Sequence, residues 1–210
     1  PARAGAALRA VVQQRARAGA EPLRFAVVHP HSAQNYELRY WLAACGIPPG
    51  TDVELSILPP PAMPDALATG NIDGCCVGEP WNSAAVAGGL GHIVTTKAAI
   101  WPGGPDKVLG VARSWAEAHP YALSGLLRAL HRASQWCADP ANLPALAALL
   151  ARPAYLHCPA EWLLPVLEGR IATGGQEVVP VTDFFVPHAR SATCPEPRHA
   201  LWLYSQMVRW

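Results

Sequence analysis

The amino-acid sequence predicts an α/β protein built on a parallel sheet. Three short strand-like segments, 23–29, 52–58 and 72–77, each lie before a segment of helical character. Strands that alternate with helices in this way predict parallel strands joined by helical crossovers. The chain has 210 residues, of which 51% are hydrophobic. This length allows one to two domains, and the apolar content is ample for a buried core.

The first strand and helix follow from an apolar run and a capping residue. Residues 23–29 read Leu-Arg-Phe-Ala-Val-Val-His, and Pro30 interrupts the run. Ser32 is a residue type that caps helix N-termini, and the segment 33–45 behind it has helical character. Gly46 follows that segment and predicts its end. We therefore expect a strand at 23–29 and a helix at 33–45.

The second and third strands are predicted by alternation of apolar and polar residues and by the prolines and glycines between the segments. Segment 52–58 alternates apolar and polar residues, with Val53, Leu55 and Ile57 on one face. A triple proline ends it, and a short helix is predicted to close at Gly70. Segment 72–77 is the third strand, and a helix is predicted to start near Asn82.

The remainder of the chain is predicted to be mainly helical. Residues 1–20 suggest an amphipathic helix, and a further strand is expected at 92–95. Residues 170–196 are rich in Pro, Gly and Thr, so we expect them to be irregular.

Three regions are expected along the chain: an N-terminal helix at 1–22, an α/β lobe at 23–119 and a mainly helical part at 120–210. The first residue is Pro, and the chain opens within the predicted helix. We therefore expect the sequence to be a fragment of a longer protein.

Composition excludes several classes of function. Charged residues make up 15% of the chain and the formal net charge is +1, which is not the basic footprint of a nucleic-acid binder. No apolar stretch approaches the ~20 residues that a membrane span needs. The six cysteines form no C-x-x-C pair. That pattern mildly favours a reducing compartment and buried thiols over a disulfide framework or a zinc site.

The sequence does not favour an enzyme. It contains no G-x-S-x-G, H-E-x-x-H or phosphate-binding glycine loop. His29 and His31 could both face a metal, but no third ligand accompanies them, and a loop pair without a ligand is the simpler interpretation. We therefore expect neither a catalytic residue, nor a metal, nor a cofactor.

The polar and glycine-containing turns at the strand ends indicate a function more clearly than the search for catalytic motifs does. In open parallel sheets, ligands bind beyond the carboxyl ends of the strands. There the sequence has Gln34 after the first strand, and Gly78, Glu79 and Trp81 after the third, while Lys107 lies in a later loop. Helix starts, one Lys and a neutral polar side chain suit a small anion. Taken alone, Lys107 is equally a solvated surface cation and Gly78 equally a tight turn.

Several motifs resemble the nitrate- and bicarbonate-binding proteins of ABC uptake systems. The resemblance covers nearly the whole chain from Phe25 onward. The motifs that carry it are Leu-Arg-Tyr-Trp-Leu-Ala-Ala at 38–44, Gly-Asn-Ile-Asp-Gly at 70–74, Cys-Val-Gly-Glu-Pro-Trp-Asn at 76–82, Ile-Trp-Pro at 100–102 and Asp-Lys-Val-Leu-Gly at 106–110. It implies a periplasmic-binding-protein type II-like fold, with one parallel or mixed-sheet lobe. A helical part would return to a first lobe that is largely absent.

The same resemblance implies an oxyanion site between two lobes. Gly78 matches the position whose backbone contacts the anion, and Lys107 matches the cation that pairs with nitrate. The bicarbonate binders have an acidic residue there, so Lys107 favours nitrate or nitrite. Gln34 stands where the nitrate binders have a histidine, and its amide can still donate. Glu79 and Trp81 complete the candidate ligand-binding set.

Two functions are compatible with this resemblance. In the first, the protein delivers nitrate or nitrite, and less favourably bicarbonate, to the permease and ATPase of an ABC transporter at the periplasmic side of a membrane. In the alternative, it is a cytoplasmic nitrate or nitrite sensor that sequesters an RNA-binding antiterminator protein. Neither requires direct contact with nucleic acid. The sequence leaves the localisation open.

Overall fold

A three-stranded parallel sheet forms the centre of the computed structural model, which describes residues 2–175 and 177–210. Its strands are β1 (Leu23–Val27), β2 (Val53–Ile57) and β3 (Gly74–Cys76). The spatial order is β2-β1-β3, and both neighbours are parallel to β1. The predicted parallel α/β arrangement is therefore confirmed.

Ten helices surround or follow the sheet in the described residues. They are α1 (Ala2–Arg17), α2 (Ala33–Ala44), α3 (Met63–Ala68), α4 (Trp81–Ala87), α5 (Lys97–Ile100), α6 (Arg113–Ala118), α7 (Pro120–Ala138), α8 (Leu143–Leu150), α9 (Ala160–Leu167) and α10 (Pro197–Arg209). The helix predicted at 33–45 corresponds to α2, and the one predicted at the N-terminus corresponds to α1.

Helices cover both faces of the sheet because side chains alternate along β1. Phe25 and Val27 point to one face and pack with Trp41 and Leu42 of α2. Ala26 points to the other face and packs with Met63 of α3. This central strand is therefore buried on both sides, as expected for a parallel sheet.

The C-terminal helix α10 returns to the sheet region through aromatic contacts. Trp202 lies with its ring centroid 4.3 Å from that of Trp101 and 5.8 Å from that of Tyr40. Tyr40 belongs to α2, so α10 is packed against the helix that follows the first strand.

Two of the expectations for the chain after α4 are wrong. Residues 92–95 form no strand, although the Ile93 N–H donates to the Thr173 carbonyl at 2.7 Å. Segment 170–196 is not wholly irregular, because β4 (Arg170–Gly174) and β5 (Glu177–Pro180) form an antiparallel pair. The glycines at the end of β4 that suggested a loop belong to the turn of this hairpin.

Candidate functional site

The carboxyl ends of β1 and β3 lie side by side. Val27 of β1 is in register with Cys76 of β3, and the two strands run in the same direction. The segments that follow them therefore leave the sheet at the same edge. Gln34 follows the first of these segments, and Gly78, Glu79 and Trp81 belong to the second. The fold thus brings two of the predicted site segments to one edge of the sheet.

Side-chain hydrogen bonds hold the segment after β1. Ser32 Oγ accepts from the Asn35 N–H at 3.1 Å and donates to the His29 carbonyl at 2.9 Å. Asn35 Nδ2 donates to the Pro30 carbonyl at 2.6 Å. These contacts satisfy the start of α2 and confirm the capping role predicted for Ser32.

Gln34 occupies the second position of α2 and is half-buried. Among residues 2–175 and 177–210, its side chain forms no hydrogen bond within the protein. Its amide group can therefore donate to a ligand at this edge.

The segment after β3 is a constrained turn. Asn82 Nδ2 donates to the Val77 carbonyl at 2.8 Å, which closes the turn from inside. The Ser83 N–H donates to Glu79 Oε2 at 3.0 Å, so the carboxylate caps the first turn of α4. Burial raises the pKa of Glu79, and the bonds from Ser83 and Asn82 oppose that rise. Trp81 begins α4 and is half-buried.

Gly78 is exposed between the strand end and this capped helix. A Cβ atom placed on Gly78 would meet no heavy atom within 4 Å, and its φ lies outside the left-handed region. Packing and backbone conformation therefore do not require glycine here. An exposed backbone without a side chain leaves room for a ligand to approach closely.

Lys107 lies in an extended segment outside regular structure. Its ammonium is 2.6 Å from Asp106 Oδ2, and its side chain is 81% exposed. Asp106 is the polar partner of this ammonium within the described part of the chain. Lys107 forms no hydrogen bond with Gln34 or Gly78.

A second lysine, which the sequence reading missed, connects this segment to α2. Lys97 Nζ donates to the Pro105 carbonyl at 2.6 Å and lies 3.3 Å from Glu37 Oε1. The Glu37 side chain is only 5% exposed. The sequence did contain a signal for this pair, because Glu37 is a charged residue between Tyr36 and Leu38. In the structure, residues 35–38 of α2 are all buried.

The electrostatic balance of Glu37 is dominated by burial. Desolvation raises the pKa of Glu37, the charge of Lys97 lowers it, and Asp106 raises it again. The half-buried thiol of Cys76, at the end of β3, lies near the same pair. Burial is the main cause that raises the pKa of Cys76; Glu37 raises it further, and Lys97 lowers it.

Comparison with known proteins identifies the class. The family model described as the NMT1-like family matches residues 2–151, and the chain belongs to that family. None of the helices in the described residues combines the length and hydrophobicity that crossing a bilayer requires.

Two relatives of this chain carry names from anion transport. The chain is 36% identical over 204 residues to the nitrate/nitrite binding protein NrtA of Synechococcus elongatus, covering 97% of this chain and 46% of that protein. It is 40% identical over 188 residues to the bicarbonate transport ATP-binding protein CmpC of the same species, covering 88% of this chain and 27% of that protein.

The solved structure of the periplasmic nitrate-binding protein NrtA from Synechocystis PCC 6803 superimposes with a TM-score of 0.87 at 28% identity. The match covers 93% of this chain and 51% of that one. The chain thus spans about half the length, or less, of the relatives it matches. The resemblance to nitrate- and bicarbonate-binding proteins and the expected periplasmic-binding fold are confirmed.

Proposed function

We propose that this protein binds nitrate or nitrite as the solute-recognition part of an ABC uptake system. Binding is its whole task, and no bond of the anion is made or broken. The main observation behind this proposal is the turn at 77–82. Hydrogen bonds from Asn82 and Ser83 hold this turn, while the Gly78 backbone is exposed. A fixed, exposed backbone without a side chain lets an anion approach closely.

The roles of the site residues follow from their chemistry. The Gly78 backbone approaches the anion, the Gln34 amide donates to one of its oxygens, and the Lys107 ammonium supplies the opposite charge. Glu79 holds the turn through Ser83, and Trp81 forms the apolar wall where α4 begins.

The charge pattern supports nitrate or nitrite over bicarbonate. Nitrate and nitrite carry only acceptor oxygens, whereas bicarbonate also carries a hydroxyl that must donate. The Glu79 carboxylate accepts from Ser83, and Asp106 accepts from one of the three N–H groups of the Lys107 ammonium. Gln34, the Gly78 backbone and the remaining N–H groups of Lys107 can all donate.

The partners proposed for this protein are the ATPase and permease of the same transporter. The names of two relatives support this, since one is a nitrate/nitrite binding protein and another a bicarbonate transport ATP-binding protein. Closure of the protein around the anion would be the signal that these partners read.

Calorimetric titration of the full-length protein tests the site. Nitrate or nitrite should bind the wild type, and Lys107→Glu should weaken binding by well over tenfold because it places a like charge against the anion. Arg132→Glu makes the same change of charge on an exposed face of α7 and serves as the control.

Two results would overturn the proposal. Unchanged affinity in Lys107→Glu would refute the site, and binding of bicarbonate without nitrate or nitrite would refute the specificity. Thermal unfolding of both variants checks that the charge changes leave the fold intact.

A further inference from the structure

The 210-residue sequence contains two lysines, and both lie near the proposed site. Their surroundings differ sharply. The Lys107 side chain is 81% exposed, whereas that of Lys97 is 30% exposed and faces the buried Glu37 carboxylate. A cation that faces a buried carboxylate is already neutralised, so Lys97 is poorly suited to be the counter-charge of an anion.

Lys97 instead contacts two separate parts of the chain. Its ammonium donates to the Pro105 carbonyl at 2.6 Å, two residues before Lys107. The same ammonium lies 3.3 Å from Glu37 Oε1 on α2. Glu37 is three residues after Gln34, and residues three apart lie on neighbouring positions of one helix face. Lys97 therefore connects the helix of Gln34 to the segment of Lys107.

The segment around Lys107 has little else to hold it. Residues 105–112 form no helix or strand, and Val108 is 70% exposed. Leu109 and Val111 are also exposed, so apolar burial stabilises this segment only weakly. An exposed segment with few packing contacts depends on its polar contacts for order.

We propose that Lys97 is a positioning residue, which holds the Lys107 segment against α2 while Glu37 holds Lys97. Only the expected effect on nitrate affinity rests on the proposed function. The connection itself, through the Pro105 carbonyl, is a property of the protein without ligand.

Replacing Lys97 by Met tests the connection directly. Met keeps most of the apolar stem and removes the donor. Without any anion, limited trypsin cleavage after Lys107, read by mass spectrometry, should become at least severalfold faster. Nitrate affinity should fall about tenfold, the scale of losing one hydrogen bond to a charged group. Lys97→Arg keeps a cationic donor and should restore both readouts in large part.

Two further variants separate positioning from damage to the fold. Lys97→Met with Glu37→Gln removes both charges, so no uncompensated carboxylate stays buried, and it should show the same fast cleavage. Arg39→Met alters another cation on α2, one that bonds Asn35 and not Pro105, and should leave cleavage after Lys107 unchanged.

The outcomes are distinguishable from failure of the proposed function. Unchanged trypsin cleavage after Lys107 in Lys97→Met would overturn the positioning role, whatever happens to affinity. Faster cleavage in a protein that binds no nitrate or nitrite would support the connection and refute the proposed function. Faster cleavage together with weaker nitrate binding and rescue by Arg would support both.

Discussion

The backbone N–H of Ser83 donates to Oε2 of Glu79 across 3.0 Å. The Glu79 carboxylate, next to Gly78, therefore faces the first turn of α4, the helix that follows it. Helix α4 begins at Trp81, and no side chain other than Glu79 is seen to cap its start within the described residues. The relationship gives Glu79 a structural task at the edge where the anion is proposed to bind.

Glu79→Ala should lower the free energy of unfolding by about 1 kcal/mol, the usual cost of losing a helix cap. Glu79→Gln retains an acceptor oxygen and should lose less. Urea unfolding of both variants measures the difference. An equal loss in the two variants would contradict the capping role, because it would show that the charge and not the acceptor matters.

Gly78→Ala should weaken nitrate binding while leaving stability nearly unchanged. The added Cβ meets open space within the protein but stands where the anion would approach. Loss of one backbone contact to a charged ligand corresponds to about tenfold or more in affinity. Calorimetry gives the affinity, and thermal unfolding gives the stability.

Gly91→Ala is the matched control for that substitution. Gly91 also has no heavy atom near a built Cβ and no left-handed φ, and it lies outside the proposed site. It should leave both affinity and stability unchanged. If Gly78→Ala behaves like Gly91→Ala, the anion does not contact the Gly78 backbone.

Glu37→Gln should change how stability depends on pH. Burial raises the pKa of Glu37 above its ordinary 4.5 despite the attraction of Lys97. The folded protein therefore holds a proton that the unfolded chain releases, and this contribution to stability is lost as pH rises from 4.5 through the raised value. Relative to wild type, Glu37→Gln should gain stability over that window.

Urea unfolding at several pH values from 4 to 8 measures this difference, since Glu79 is common to both proteins and cancels. The opposite trend would show that attraction to Lys97 outweighs the cost of burying the Glu37 carboxylate.

The cysteines should react with alkylating reagents in an order set by burial. Burial raises the pKa of Cys76 to about 12 and that of Cys75 to about 11, so little thiolate is present at pH 8. Exposed Cys194 should be modified first. Peptide mass spectrometry after brief alkylation reads the order, and the urea-unfolded protein provides the control. Early modification of Cys76 would contradict its placement at the end of β3.

Hydrophobic alternation and helix-capping residues predicted the elements that depend mainly on residues close together in the sequence. The alternation at 52–58 predicted β2, and Ser32 together with Gly46 bounded α2 within one or two residues. The strand expected at 92–95 did not form, because among the described residues this segment makes a single backbone hydrogen bond to β4, from Ile93 to Thr173, and a ladder needs several. The hairpin of β4 and β5 was missed because Gly174 and Gly175 suggested a loop.

The sequence by itself determined the class of fold, the family and the identity of Gln34, Gly78 and Lys107 as candidate ligands, because alternation, caps and motifs are written in neighbouring residues. Only the tertiary structure decided that Lys97 links Glu37 to Pro105. The physical reason is distance along the chain. Glu37 and Lys97 are 60 residues apart, and their pairing exists only once the sheet has brought α2 and α5 together.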